Sequence, residues 1–199
     1  MKFRAIQSGF WRLSFWTLAV LLVAALPAAA HPGHGPMWGF AAGVQHPLSG
    51  IDHLLAMIAV GLWAAQLGGR SRWLVPAAFV GVMTLGAVLG HAGFAIAGIE
   101  QGIAASILVL GLLIACAVKL PTVASMAIVG AFALFHGVAH GAEMPATASG
   151  LSYGVGFVAS TILLHVIGLG LGLALKDQQK VARFAGGTVA IVGAIALIA

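Results

Sequence analysis

Long, nearly charge-free apolar runs recur along this 199-residue chain. They occupy residues 37–67, 73–98, 102–118, 121–141, 147–175 and 182–198. A hydrocarbon core about 30 Å thick takes roughly 20 apolar residues of helix to cross. Inside lipid every backbone polar group needs an internal partner, so runs of this kind fold as helices. Charged residues make up 7% of the chain and apolar residues 61%. A soluble domain carries about 25% charged residues. The expected fold class is an all-α membrane protein, with a cleavable signal peptide followed by about six transmembrane helices. Its 28 glycines suit close helix packing in lipid.

The first 30 residues have a layout of their own. A basic stretch with Lys2, Arg4 and Arg12 precedes the apolar run LSFWTLAVLLVAAL, and Pro27-Ala-Ala-Ala30 follows. Small residues at Ala28 and Ala30 fit signal cleavage before His31. The competing reading is an uncleaved first span, but the apolar run is short for one. The expected domains are therefore a signal peptide at 1–30 and a polytopic transport domain at 31–199. The new terminus would start His31-Pro-Gly-His34, which either collects metal at an entrance or is a plain polar end.

Six basic residues remain, and they sort by side. Arg70 and Arg72 follow the first span, Lys119 the third, and Lys176, Lys180 and Arg183 the fifth. Alternating crossings put these three connections on one face, which the positive-inside rule makes cytoplasmic. Both termini then lie in the periplasm of a bacterial inner membrane. The positive balance of +5 is a topology signal and does not point to nucleic acid. No GxxxxGK[ST] stretch occurs, so this chain lacks that route to ATP hydrolysis. Cys116, the single cysteine, reads as a small buried residue. Trp38, Trp63 and Trp73 near span ends read as interface anchors.

Two clusters interrupt the apolar pattern. The first is His46-x5-Asp52-His53 in HPLSGIDH, and the second is His136-x3-His140-x2-Glu143 in FHGVAHGAE. They take half of the chain's four acidic residues and half of its eight histidines. Ionisable groups in a membrane are costly, and they usually face the bundle interior on an ion or proton path. His136, His140 and Glu143 share one helical face at 3.6 residues per turn. Pro47 and Gly50 break the first span, and Ser49-x-x-Asp52 resembles a capping box starting a new helix. Broken helices at matching places in two halves mark substrate sites in transporters. Spans one to three and four to six are candidates for such inverted halves. His91 and His165 are further ligand candidates, or else hydrogen-bond between helices. Glu100 reads as a solvated loop residue.

The bland readings are a kink whose polar groups satisfy freed backbone, and a wet helix end. Three ionisable residues exceed what a kink needs, and His136 lies too far from its helix end. Imidazole with carboxylate suits nickel, cobalt or zinc, and these residue types do not separate the three. Met57 and Met144 lie near, as packing residues. Neutral imidazole binds metal and protonated imidazole does not, so transport should fall as pH drops through about 6.5. An inward potential of 100 mV favours a divalent cation by about 4.6 kcal/mol, so downhill import needs no further coupling. Two rivals use the same residues. One is an intramembrane zinc hydrolase. The other is b-type haem electron transfer, which two carboxylates disfavour.

At HPLSGIDH and FHGVAHGAE the chain resembles the HupE/UreJ family of hydrogenase- and urease-associated membrane proteins. HPGH at 31–34 and LLHVIGLGLG in the fifth span extend the resemblance over the mature chain. The resemblance implies a non-enzymatic permease that imports nickel, or in some members cobalt, for metalloenzyme assembly. The ion is then substrate, with no tightly bound cofactor. Its functional positions would be His46, Asp52, His53, His136, His140 and Glu143, with hand-off to cytoplasmic metallochaperones.

Overall fold

The computed structural model describes residues 37–144 and 150–199. The expected signal peptide, His31 and His34 lie outside the described residues. Within them the chain forms seven helices and no strand: α1 (Met37–Ser49), α2 (Ile51–Leu67), α3 (Ser71–His91), α4 (Ile99–Ala115), α5 (Thr122–Ala142), α6 (Gly150–Ala174) and α7 (Gln179–Ile198). Helices α3, α5, α6 and α7 are long and apolar enough to cross a membrane. Helices α1 and α2 form a pair bent by 82°, a broken span or a re-entrant turn. The 17-residue α4 is apolar but shorter. The six apolar runs thus reappear as helices, the first in two pieces.

The break falls at Gly50, in extended backbone at φ −98° and ψ 122°. Pro47 has no N–H to donate, which weakens the last turn of α1. The expected capping box does not form: α2 has no side-chain cap. The Ser49 hydroxyl instead turns back and donates to the His46 carbonyl at 2.8 Å. A carbonyl freed at the end of α1 competes successfully for that hydroxyl.

Small residues decide how the helices pair. The closest partners are α3 with α5, α4 with α7, and α6 with both α1 and α2. Gly137 and Gly141 press α5 against the backbone of α3 at Met83 and Ala87. Gly111 meets α7 at Ala190, and Gly61 meets α6 at His165. Exchanging the first three apolar segments for the last three maps this pairing onto itself: α3–α5 becomes α6 with α1–α2, and α4–α7 is unchanged. Two halves related by a two-fold axis pair in this way. The core holds Met57, Val60 and Trp63 of α2, Phe79 and Met83 of α3, Leu110 of α4, Val129 of α5 and Leu164 of α6. Trp73, Val123, Leu151 and Phe184 point outward, as expected where apolar surface faces lipid.

One end of the bundle gathers the basic connections. Ser71 and Thr122 share a 2.8 Å hydrogen bond that ties the start of α3 to the start of α5. Arg183 donates to the Ala115 carbonyl at 2.7 Å, and Trp63 Nε1 to the Val118 carbonyl at 3.0 Å. The first satisfies a carbonyl left open in the last turn of α4, and the second a carbonyl in the connection that follows. Two sequence readings need correction here. Trp63 is fully buried and holds a backbone carbonyl, so it is no interface anchor. Cys116 is exposed, because it sits on the C-cap of α4 where the helix ends and its packed face is lost.

Candidate functional site

The alternation of histidine and glycine in α5 aims the ligands. Gly137 and Gly141 lie on the face against α3, so His136 and His140 occupy the neighbouring face, toward α1, α2 and α6. The break at Gly50 lets α1 bring His46 and α2 bring His53 to the same place. Two overlapping groups result. His53, His136 and His140 offer ligand atoms within 4.8 Å of one another, and so do His46, His140 and Glu143. His140 belongs to both.

Burial is graded across the pair. Glu143 and His46 have side chains 57% and 25% exposed, and Glu143 Oε2 lies 3.1 Å from His46 Nε2. His140 is 1% exposed and His136 fully buried. Neither ring nitrogen of His140 has a hydrogen-bond partner among the described residues. Leaving one buried polar group unpaired costs about 1–3 kcal/mol, so a doubly unpaired imidazole calls for an explanation.

The spacing of the inner nitrogens suits either a hydrogen bond between the rings or two ligands on one ion. His53 Nδ1 and His136 Nδ1 stand 3.1 Å apart. Two ligand nitrogens each about 2.1 Å from one ion, near a right angle, are separated by about 3.0 Å. The Ser106 hydroxyl, 3.0 Å from His136 Nε2, gives its own proton to the Ile103 carbonyl at 2.6 Å. It therefore accepts from His136 Nε2–H, which leaves Nδ1 as a lone pair facing His53. A ligating histidine usually has its second nitrogen held in this manner.

The remaining sequence candidates fall around this core. Asp52 is in neither group; its Oδ2 is 3.7 Å from His53 Nε2, beside the site. His91 is exposed at the end of α3 and also stands outside both groups. It lines an apolar cleft of about 710 Å³ between α3, α5 and α6 that reaches His140 and Met144. His165 is buried on α6, apart from the cluster. Glu100 is exposed in the first turn of α4. Sequence reading missed four neighbours: Ser106, Phe79, Tyr153 and Phe157. Phe157 packs edge-on against His140 at 4.5 Å between ring centroids, and Phe79 lies 5.7 Å from His136. Ser106 was findable, as a lone hydroxyl in the apolar run IAASILVLGLLIA. The aromatics were not, since Phe in an apolar helix carries no signal of its own.

Comparison with known proteins identifies the family. The model of the family described as HupE / UreJ protein matches residues 18–196. Protein HupE of Rhizobium leguminosarum bv. viciae is 49% identical over 185 residues, covering 92% of this chain and 95% of that relative. No solved structure matches. Its span-length apolar helices and these matches over nearly the whole sequence make this chain a multi-pass membrane protein that belongs to the HupE/UreJ family.

Proposed function

We propose that this protein is an inner-membrane permease for a divalent transition-metal ion, nickel first and cobalt second, serving metalloenzyme assembly. The observation that carries this reading is His140: buried, unpaired at both nitrogens, and common to both three-ligand groups. An ion held by His46, His140 and Glu143 at the exposed side passes to His53, His136 and His140 by exchanging ligands around one shared imidazole. Glu143 offsets charge at the mouth, and Asp52 does so beside His53. A site graded from exposed to buried, with a shared ligand, suits a moving ion better than a resident one. A catalytic zinc would instead keep three fixed ligands and an open water position.

The family resemblance supports nickel over zinc, and donor chemistry admits all three ions. Clustering of basic residues at the far end of the bundle supports a periplasmic mouth and cytoplasmic release. The test is cell-associated nickel in a host without its own nickel uptake, supplied with trace nickel. The intact chain should raise nickel, and His140→Ala at matched membrane level should not. Equal accumulation by both would remove His140 from the path. If the intact chain raises neither nickel, cobalt nor zinc, transport itself is wrong.

A further inference from the structure

Beyond the two ligand groups, α6 carries a seam that leads away from them. Tyr153, Phe157, Thr161 and His165 recur every four residues, and all are buried. Four-residue steps keep each side chain beside the next, in a line that winds slowly round the helix. The seam begins beside His46 and His140, which touch Tyr153 and Phe157 respectively. It ends at His165, twelve residues along, or about 18 Å at 1.5 Å per residue. That is more than half of a hydrocarbon core about 30 Å thick.

His165 is 3% exposed. Its Nδ1 lies 2.8 Å from the Thr161 carbonyl, which only accepts, so Nδ1 carries the proton. Nε2 is then a bare lone pair, and it has no partner among the described residues. A backbone carbonyl fixing one nitrogen while the other stays free is the usual preparation of a metal-binding imidazole. One turn back, the Thr161 hydroxyl donates to the Phe157 carbonyl at 2.9 Å and lies 3.9 Å from Met83 Sδ. One ring separates this place from the outer cluster. Phe79, fully buried, has its centroid 5.7 Å from His136 and 5.1 Å from His165.

We propose that His165 is a second, inner ligand station for the same divalent cation, reached from His136 past the Phe79 ring. This rests on the permease reading above. Phe79 is within ring-contact distance of both histidines, so a swing of that ring would open a way from one lone pair to the other. Gly61 abuts the His165 carbonyl and holds the α6 backbone at fixed distance from α2. The station is thus carried on rigid elements, and the ring is the moving part.

The test uses the full chain in proteoliposomes with an inside-negative potential and a metal-sensing dye within. His165→Leu removes the lone pair and leaves no unpaired group behind, so folding should survive. It should lower nickel entry about tenfold or more while nickel binding, measured by calorimetry on the same preparation, stays near that of the intact chain. Entry near the intact rate would overturn the inner station and leave the permease reading standing. No entry of nickel, cobalt or zinc with the intact chain would instead overturn the permease reading. If His165→Leu loses binding as well, His165→Cys decides: a thiolate in the path should raise zinc entry relative to nickel several-fold. An unchanged ratio would overturn the proposal, since a purely structural residue does not alter ion preference.

Discussion

At the residue scale the site is a set of imidazoles whose second nitrogens differ in how they are held. His136 is oriented by Ser106, His165 by the Thr161 carbonyl, and His140 by nothing polar among the described residues. The ring of His140 meets Phe157, His46 and His53 and has no hydrogen bond among the described residues, which suits a ligand that turns between two groups. Ser106→Ala should therefore weaken nickel binding about tenfold, by releasing the His136 ring, and should leave His140 untouched. Calorimetry on the purified protein would check this, and an unchanged affinity would show that Ser106 does not orient His136. Burial of Trp63 makes a separate prediction. Trp63→Phe keeps the packing but strands the Val118 carbonyl, costing about 1 kcal/mol of stability with little change in uptake. Thermal unfolding in detergent reads the loss.

At the element scale the bend between α1 and α2 does most to assemble the site. A straight helix over 37–67 would place His46 and His53 seven residues, or about 10 Å, apart along its axis. Turned by 82° at Gly50, the chain brings both rings to His140, with centroids 4.7 and 4.2 Å away. A side chain at Gly50 would meet the Asp52 carboxylate and the His53 ring rather than backbone. Gly50→Ala should consequently displace those two groups, cutting uptake several-fold with an unfolding temperature near that of the intact chain. Gly137 behaves otherwise, because a Cβ there meets the Met83 carbonyl and the Gly86 backbone. Gly137→Val should separate α3 from α5 and cost about 1–3 kcal/mol of stability, as overpacking does elsewhere. The same thermal scan distinguishes the two variants.

At the scale of the whole molecule the prediction concerns sidedness. Cys116 is the single cysteine and is exposed at the end of α4, beside the Lys119 connection. If the basic end faces the cytoplasm, a membrane-impermeant thiol reagent should label Cys116 in inverted vesicles and not in intact spheroplasts. The opposite pattern would reverse the direction of transport.

The amino-acid sequence alone determined the helical membrane class, the six apolar segments and the break near Ser49. Lipid admits few backbone solutions, and hydropathy reads them directly. It also singled out all five residues of the two ligand groups, His46, His53, His136, His140 and Glu143, by the cost of ionisable side chains in an apolar setting. Only the tertiary structure decided that Asp52 stands beside these groups, that His140 is shared, that Ser49 caps nothing and that Trp63 is buried. Those outcomes depend on helix approach distances set by Gly61, Gly111, Gly137 and Gly141, and on one 82° turn. Spacing along a chain places a residue on a helical face, but the partner that face meets is fixed by packing between helices distant in sequence.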